Sequence, residues 1–212
     1  MISNLDVVGQ QALNYLEQKH AARERALPKS RAAIRHCANS IRATHRHEFA
    51  NARQLLDEAG KLLNEMADDL RIHQDVFYAG FVQDAQKEFA EAATFFALAQ
   101  QQPLPLASDL AIDWVPYLNG LGEAIGELRR YVLDQLRRDN VEGGEIYLEQ
   151  MDDIYALLTT VDFPEAVTSG LRRTTDAARG ILEKTRGDLT TAVGQAQLQR
   201  SLLALQQELQ RK

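Results

Sequence analysis

Apolar residues recur along this chain at three- and four-residue intervals, the spacing that lines one face of an α-helix. Ile34, Cys37, Ala38, Ile41 and His45 fall at i, i+3, i+4, i+7 and i+11, and Leu55, Leu56, Ala59, Leu62, Leu63 and Met66 make a further stripe. Phe77, Phe81, Ala85, Ala92, Phe95 and Ala99 mark another, as do Leu121, Ala124, Ile125, Leu128 and Val132, and then Ile146, Met151, Ile154, Tyr155 and Leu158. Near the end come Leu198, Leu202, Leu205 and Leu209, at i, i+4, i+7 and i+11. Alternating apolar and polar runs between turn pairs, which would announce strands, are absent.

Turn and cap residues divide these stripes into seven or eight helices. Ser3 or Asn4 is placed to cap a first helix ending near Arg25, and Leu27-Pro28 predicts a stop, with Pro28 opening the next helix. A long helix is expected from about Gln74 to Gln101, ended by Pro103 and Pro105, and another from about Pro116 to Arg138. Further helices are expected over 141–159, over about 165–186 between Pro164 and Gly187, and over 190–212. With no linker-like stretch or internal repeat, the expected fold class is all-α, a single-domain bundle spanning 1–212.

Composition narrows the class further. At 212 residues, 45% hydrophobic and 25% charged, the chain is long enough to bury a core and is neither disordered nor fibrous in character. No apolar run approaches the ~18 residues of a membrane span, so a membrane partner is not expected. The single cysteine, Cys37, excludes an internal disulfide and a multi-cysteine zinc site, fits a reducing cytoplasm, and falls on an apolar face as core packing.

The net charge of −6 hides an asymmetry: between Lys19 and His47 there are eight Lys or Arg and one acid, so that segment carries +7 and the rest −13. A basic block on an acidic body is the footprint of a polyanion site. Within it Arg31, Arg35, Arg42 and Arg46 stand at i, i+4, i+11 and i+15, one line along a helix. Such a row either engages successive phosphates or forms an ordinary solvated face.

Two sets of acids fall beside apolar faces. Glu88 lies inside the Phe77–Ala99 stripe, at i+7 from Phe81 and i−4 from Ala92. An isolated carboxylate there is costly unless protonated, paired or bound to a cation. Glu91 follows at i+3, sharing its flank with Asp84, while Glu123 and Glu127 are i and i+4 on the next long helix, beside Gly120. Oxygen donors on two helices suit Mg²⁺ or Mn²⁺; spacing equally allows solvent pairing, as of Glu127 with Arg130. Gly-rich phosphate loops, Gly-x-Ser-x-Gly and HExxH are absent.

Segments 31–49 (RAAIRHCANSIRATHRHEF), 78–98 (YAGFVQDAQKEFAEAATFFAL), 117–145 (YLNGLGEAIGELRRYVLDQLRRDNVEGGE) and 171–189 (LRRTTDAARGILEKTRGDL) together resemble the translin family. They resemble its catalytic branch, translin-associated factor X, more than translin itself. The resemblance implies an all-α fold of about seven helices, assembly into a hollow homo-oligomer, an octamer, and binding of single-stranded or structured RNA and of single-stranded DNA. It also implies a metal-dependent endoribonuclease. Its Q-E-x-x-E-A-like motif corresponds to Lys87-Glu88-Phe89-Ala90-Glu91-Ala92 and carries over Glu88 and Glu91. Its G-x-x-D-x-x-G-E-L-like motif corresponds to Gly120 through Leu128 and carries over Glu123 and Glu127, with Glu123 a methylene longer than the usual Asp. On this reading those four acids hold Mg²⁺ or Mn²⁺ and Arg31, Arg35, Arg42 and Arg46 hold the strand. The alternative is a non-catalytic shell that binds single-stranded RNA or DNA.

Overall fold

In the computed structural model, which describes residues 4–211, the chain forms eight helices, and no strand occurs among the described residues. The first, α1 (Leu5–His45), runs unbroken through Pro28, so the two helices expected on either side of it are one. The proline removes the donor to the Glu24 carbonyl, but both residues are exposed and water can serve that carbonyl. Ala26, Ser30, Ala33 and Cys37 are buried and hold the helix through the interruption, and the Ser30 hydroxyl donates to the Phe81 carbonyl at 2.8 Å.

α2 (Phe49–Leu70) returns antiparallel to α1 after a turn in which His47 adopts φ 60. Its buried residues, Ala52, Leu56, Ala59, Leu63, Met66 and Leu70, form the expected helical stripe. Cross-links fix the direction: Ser40 Oγ donates to the Ala52 carbonyl at 2.9 Å, His36 faces Glu58 at 3.2 Å, and Lys29 meets Asp69 at 2.8 Å.

The long helix expected from Gln74 is divided into α3 (Gln74–Phe77) and α4 (Gly80–Ala99). α5 (Trp114–Leu136) and α6 (Val141–Thr159) match their sequence patterns, and the Asn140 side chain caps α6 by accepting from the Gly143 amide. α7 (Glu165–Thr168) ends where Ser169 and Gly170 turn left-handed, at φ 45 and 92. α8 (Leu171–Gln210) then continues through Gly187, where a stop was expected, and absorbs the final helix. A mid-helix glycine costs about 1 kcal/mol, too little to end a helix anchored by buried Leu182, Thr185 and Leu189.

These helices fall into two compact units. The first takes the chain up to Phe96 together with Pro105–Gly120, and the second takes Ala97–Leu104 together with the chain from Leu121. Leu56, Met66, Leu70, Val82 and Phe95 are core residues of the first, and Ile125, Leu128, Val132, Met151, Leu158 and Leu182 of the second. Inside the second unit Tyr131 and Tyr147 stack edge to face at 4.8 Å, and the Tyr147 hydroxyl donates to the Ala99 carbonyl.

Both long helices have exposed ends. Leu5, Val8, Leu13 and Leu16 of α1 and Leu198, Leu202, Leu205 and Leu209 of α8 are each more than half exposed. No helix among the described residues is long and apolar enough to cross a membrane.

Candidate functional site

α4 carries two of the acids picked out by sequence. Glu88 and Glu91 are one turn apart and half-buried, between positions of the core stripe that includes Ala85, Ala92 and Phe95. Cys37 of α1, fully buried, lies close enough to feel both: burial first, then the charges of Glu88 and Glu91, push its thiol pKa up. The uncharged thiol leaves carboxylate oxygen as the donor chemistry of this corner of the first unit. Half-buried carboxylates with a hard-donor character fit a hard divalent cation, whose charge offsets the lost hydration.

The next helix reaches α4 through a glycine. A Cβ built on Gly120 would stand 2.6 Å from the Ala90 Cβ, 2.6 Å from the Lys87 carbonyl oxygen and 2.9 Å from the Glu91 amide nitrogen. Only a residue without a side chain lets α5 pass this close. The seat falls within the Lys87–Glu91 turn, so the first glycine of one motif is packed onto the backbone of the other. Along α5, Glu123 follows Gly120 by three residues and Glu127 by seven, on the same side of the helix, and both are half-buried. Gly122 has its own packing role in the second unit, where a Cβ would meet Thr174 at 2.5 Å. The sequence marks Gly120 as a neighbour of the acids and as the first glycine of their motif; glycine inside an apolar helical stripe is the further signal for the close approach.

Arg31, Arg35 and Arg42 on α1 and Arg46 at its C-terminal cap are all exposed, but they are not equivalent. Arg46 forks onto Glu48, at 2.7 and 2.9 Å, and these hydrogen bonds pull the Glu48 carboxyl down to about 2. Arg42 donates to the Asn39 side chain at 2.5 Å, leaving its charge uncompensated by that contact. Among the described residues no hydrogen bond or ion pair engages Arg31 or Arg35.

Much of the remaining basic block is already committed. Lys19 pairs with Asp75, Arg23 with Glu24, Arg25 with Asp69 at 3.1 Å, and Lys29 with both Asp69 and Glu65. Hydrogen bonding in this ladder raises the Lys29 pKa and lowers that of Asp69. The positive field of α1 is therefore narrower than the sequence implied, and centres on Arg31, Arg35 and Arg42. The α2 partners of Arg25 and Lys29 lie about forty residues away, where spacing on one helix could not reveal them. Of the histidines in the block, His45 is buried with its ring 4.6 Å from that of Phe95, and is a core-edge group.

An all-α chain of this kind falls in the class of helical protein seen in solved C3PO structures. The AfC3PO–duplex RNA complex is 34% identical, covers 86% of this chain and 95% of that one, and superposes with a TM-score of 0.79. A crystal structure of AfC3PO gives 33% identity, the same coverage and the same TM-score. The apo-NeC3PO structure shares the fold at 19% identity, with a TM-score of 0.77 over 91% of this chain and 98% of that one. An uncharacterised protein of Methanocaldococcus jannaschii is 34% identical over 201 residues, 92% of this chain and 86% of its own. No family model matches the chain. By its similarity to the C3PO chains, this protein belongs to the translin family.

Proposed function

We propose that this protein binds RNA, structured or single-stranded, and cuts it as a Mg²⁺-dependent endoribonuclease working as a homo-oligomer. The observation that carries the reading is the half-burial of Glu88, Glu91, Glu123 and Glu127 in a chain 34% identical to a protein solved with duplex RNA. In this proposal Glu88 and Glu91 from α4 and Glu123 and Glu127 from α5 are the cation's ligands, Mn²⁺ serving in place of Mg²⁺. When bound, such an ion supplies charge neutralisation at a phosphate and a water of lowered pKa. Arg31, Arg35 and Arg42 neutralise backbone phosphates and keep the strand in register, contacts that carry no sequence preference. Exposed leucines at both helix ends support the homo-oligomer, since unburied stripes of this length are commonly interfaces.

The test is incubation of the purified protein with labelled single-stranded and duplex RNA in Mg²⁺, with and without EDTA. Cleavage in Mg²⁺ that EDTA abolishes is the expected result. Cleavage surviving EDTA, or none at all, overturns the nuclease reading. Salt-dependent binding of RNA or single-stranded DNA without cutting leaves the non-catalytic shell in its place.

A further inference from the structure

α4 holds one cation, and it stands inside the acidic motif. Across Gly80–Ala99 the charged residues are Asp84, Lys87, Glu88 and Glu91, so Lys87 is three residues from the first acid, adjacent to the second and four from the third. Lys87 is half-buried, as Glu88 and Glu91 are, and all three make hydrogen-bonding or electrostatic interactions. A lysine drawn partly out of water is stable where anions surround it and costly elsewhere.

The backbone at Lys87 is also fixed. Its carbonyl oxygen is one wall of the Gly120 seat, 2.6 Å from where a side chain there would begin, so this turn of α4 has no room to shift against α5. Successive residues are turned about 100° around a helix. Lys87 therefore leaves α4 on the side it shares with Glu91 at i+4, while Glu88 points further round. Cation and carboxylates radiate from one clamped turn.

We propose that Lys87 is a built-in positive charge of the acidic centre, a positioning residue that moderates the centre's affinity for Mg²⁺ and holds an RNA phosphate beside Glu88 and Glu91. This rests on the proposed nuclease reading. Two carboxylates in one turn, Glu88 and Glu91, repel one another and attract a divalent ion strongly; an ammonium carried on the same turn weakens both effects. A compact ammonium with three donors also suits a non-bridging phosphate oxygen as a point charge. The arginines of α1 then grip the strand, and Lys87 places one phosphate of it.

The experiment compares wild type with Lys87→Gln and Lys87→Arg, in two readouts. The first is the Mg²⁺ concentration that half-saturates the rise in melting temperature of the RNA-free protein. Lys87→Gln is expected to shift that midpoint lower by about tenfold, since a like charge has been removed beside the ion. Lys87→Arg, which keeps the charge, should stay near wild type. The second is cleavage at saturating Mg²⁺, where Lys87→Gln should be slower by about tenfold or more and Lys87→Arg should retain most of the rate.

An unchanged midpoint and rate in Lys87→Gln overturns the proposal. So does a Lys87→Arg variant whose midpoint follows that of Lys87→Gln, because the charge would then be irrelevant. Wild-type protein that shows neither a Mg²⁺-dependent shift nor cleavage refutes the nuclease reading itself, and Lys87's role with it.

Discussion

At the scale of single residues, the acids and the arginines make different demands. Removing a carboxylate at Glu88 or Glu127 with alanine is expected to slow cleavage by on the order of a hundredfold while leaving RNA affinity in EDTA unchanged, because the arginine line is untouched. Wild-type rates in both variants would sink the assignment. Replacing Arg31 and Arg35 together by Gln should flatten the slope of log affinity against log salt by about two units. Arg46→Gln should flatten it less, since Glu48 already occupies that guanidinium. The Glu48 carboxyl is depressed to about 2, so the fork persists through the ordinary carboxylate range and opens only as pH falls toward that value. Equal slopes for the two variants would mean that Arg46 exchanges partners freely. The spacing of Glu88 and Glu91 was legible in sequence because one helix carries both. The loss of Lys29 and Arg25 from the free basic field was not, because Asp69 and Glu65 come from another helix.

At the scale of helices, the clearest test is a pair of glycines six residues apart. Gly120→Ala forces a Cβ to within 2.6 Å of the Lys87 carbonyl oxygen and should destabilise the protein by about 1–3 kcal/mol through overpacking. A Cβ at Gly126 meets nothing within 4 Å, so Gly126→Ala should stabilise by about 0.5–1 kcal/mol. Urea denaturation reads both, and a stabilising Gly120→Ala would contradict the close packing of α5 on α4. The helices themselves were legible wherever an apolar stripe ran uninterrupted, as in α2 and α5. Breaks are less legible, because proline and glycine mark a stop only where burial on either side does not hold the helix together. Pro28 sits on an exposed side of a helix held by Ala26, Ser30 and Ala33, and Gly187 is flanked by buried Thr185 and Leu189. The real interruption at Ser169-Gly170 was signalled by a serine–glycine pair, a common turn dipeptide. The one at Tyr78–Ala79 carries no such pair, only the exposed glycine that opens α4.

At the scale of the whole molecule, the exposed leucines of α8 give the assembly its test. Light scattering should return a mass several times the 23.8 kDa of one chain, and truncation before Leu198 should lower it. A monomer at micromolar concentration would refute the homo-oligomer; an oligomer unchanged by truncation would refute only the part given to α8. The way the chain visits its two units has a consequence for synthesis. α1 and α2 are joined by a three-residue turn, so they can pair as soon as both have emerged, with little loop entropy opposing them. α4 follows, but the helix that seats on Ala90 does not arrive until Gly120, some twenty residues after α4 ends at Ala99. At 5–20 residues per second the growing chain spends roughly one to four seconds with that face of α4 uncovered. In that interval Glu88 and Glu91 have been made before the helix that seats on the turn between them, and the nascent chain leaves Ala90 uncovered beside the two acids proposed to hold a cation.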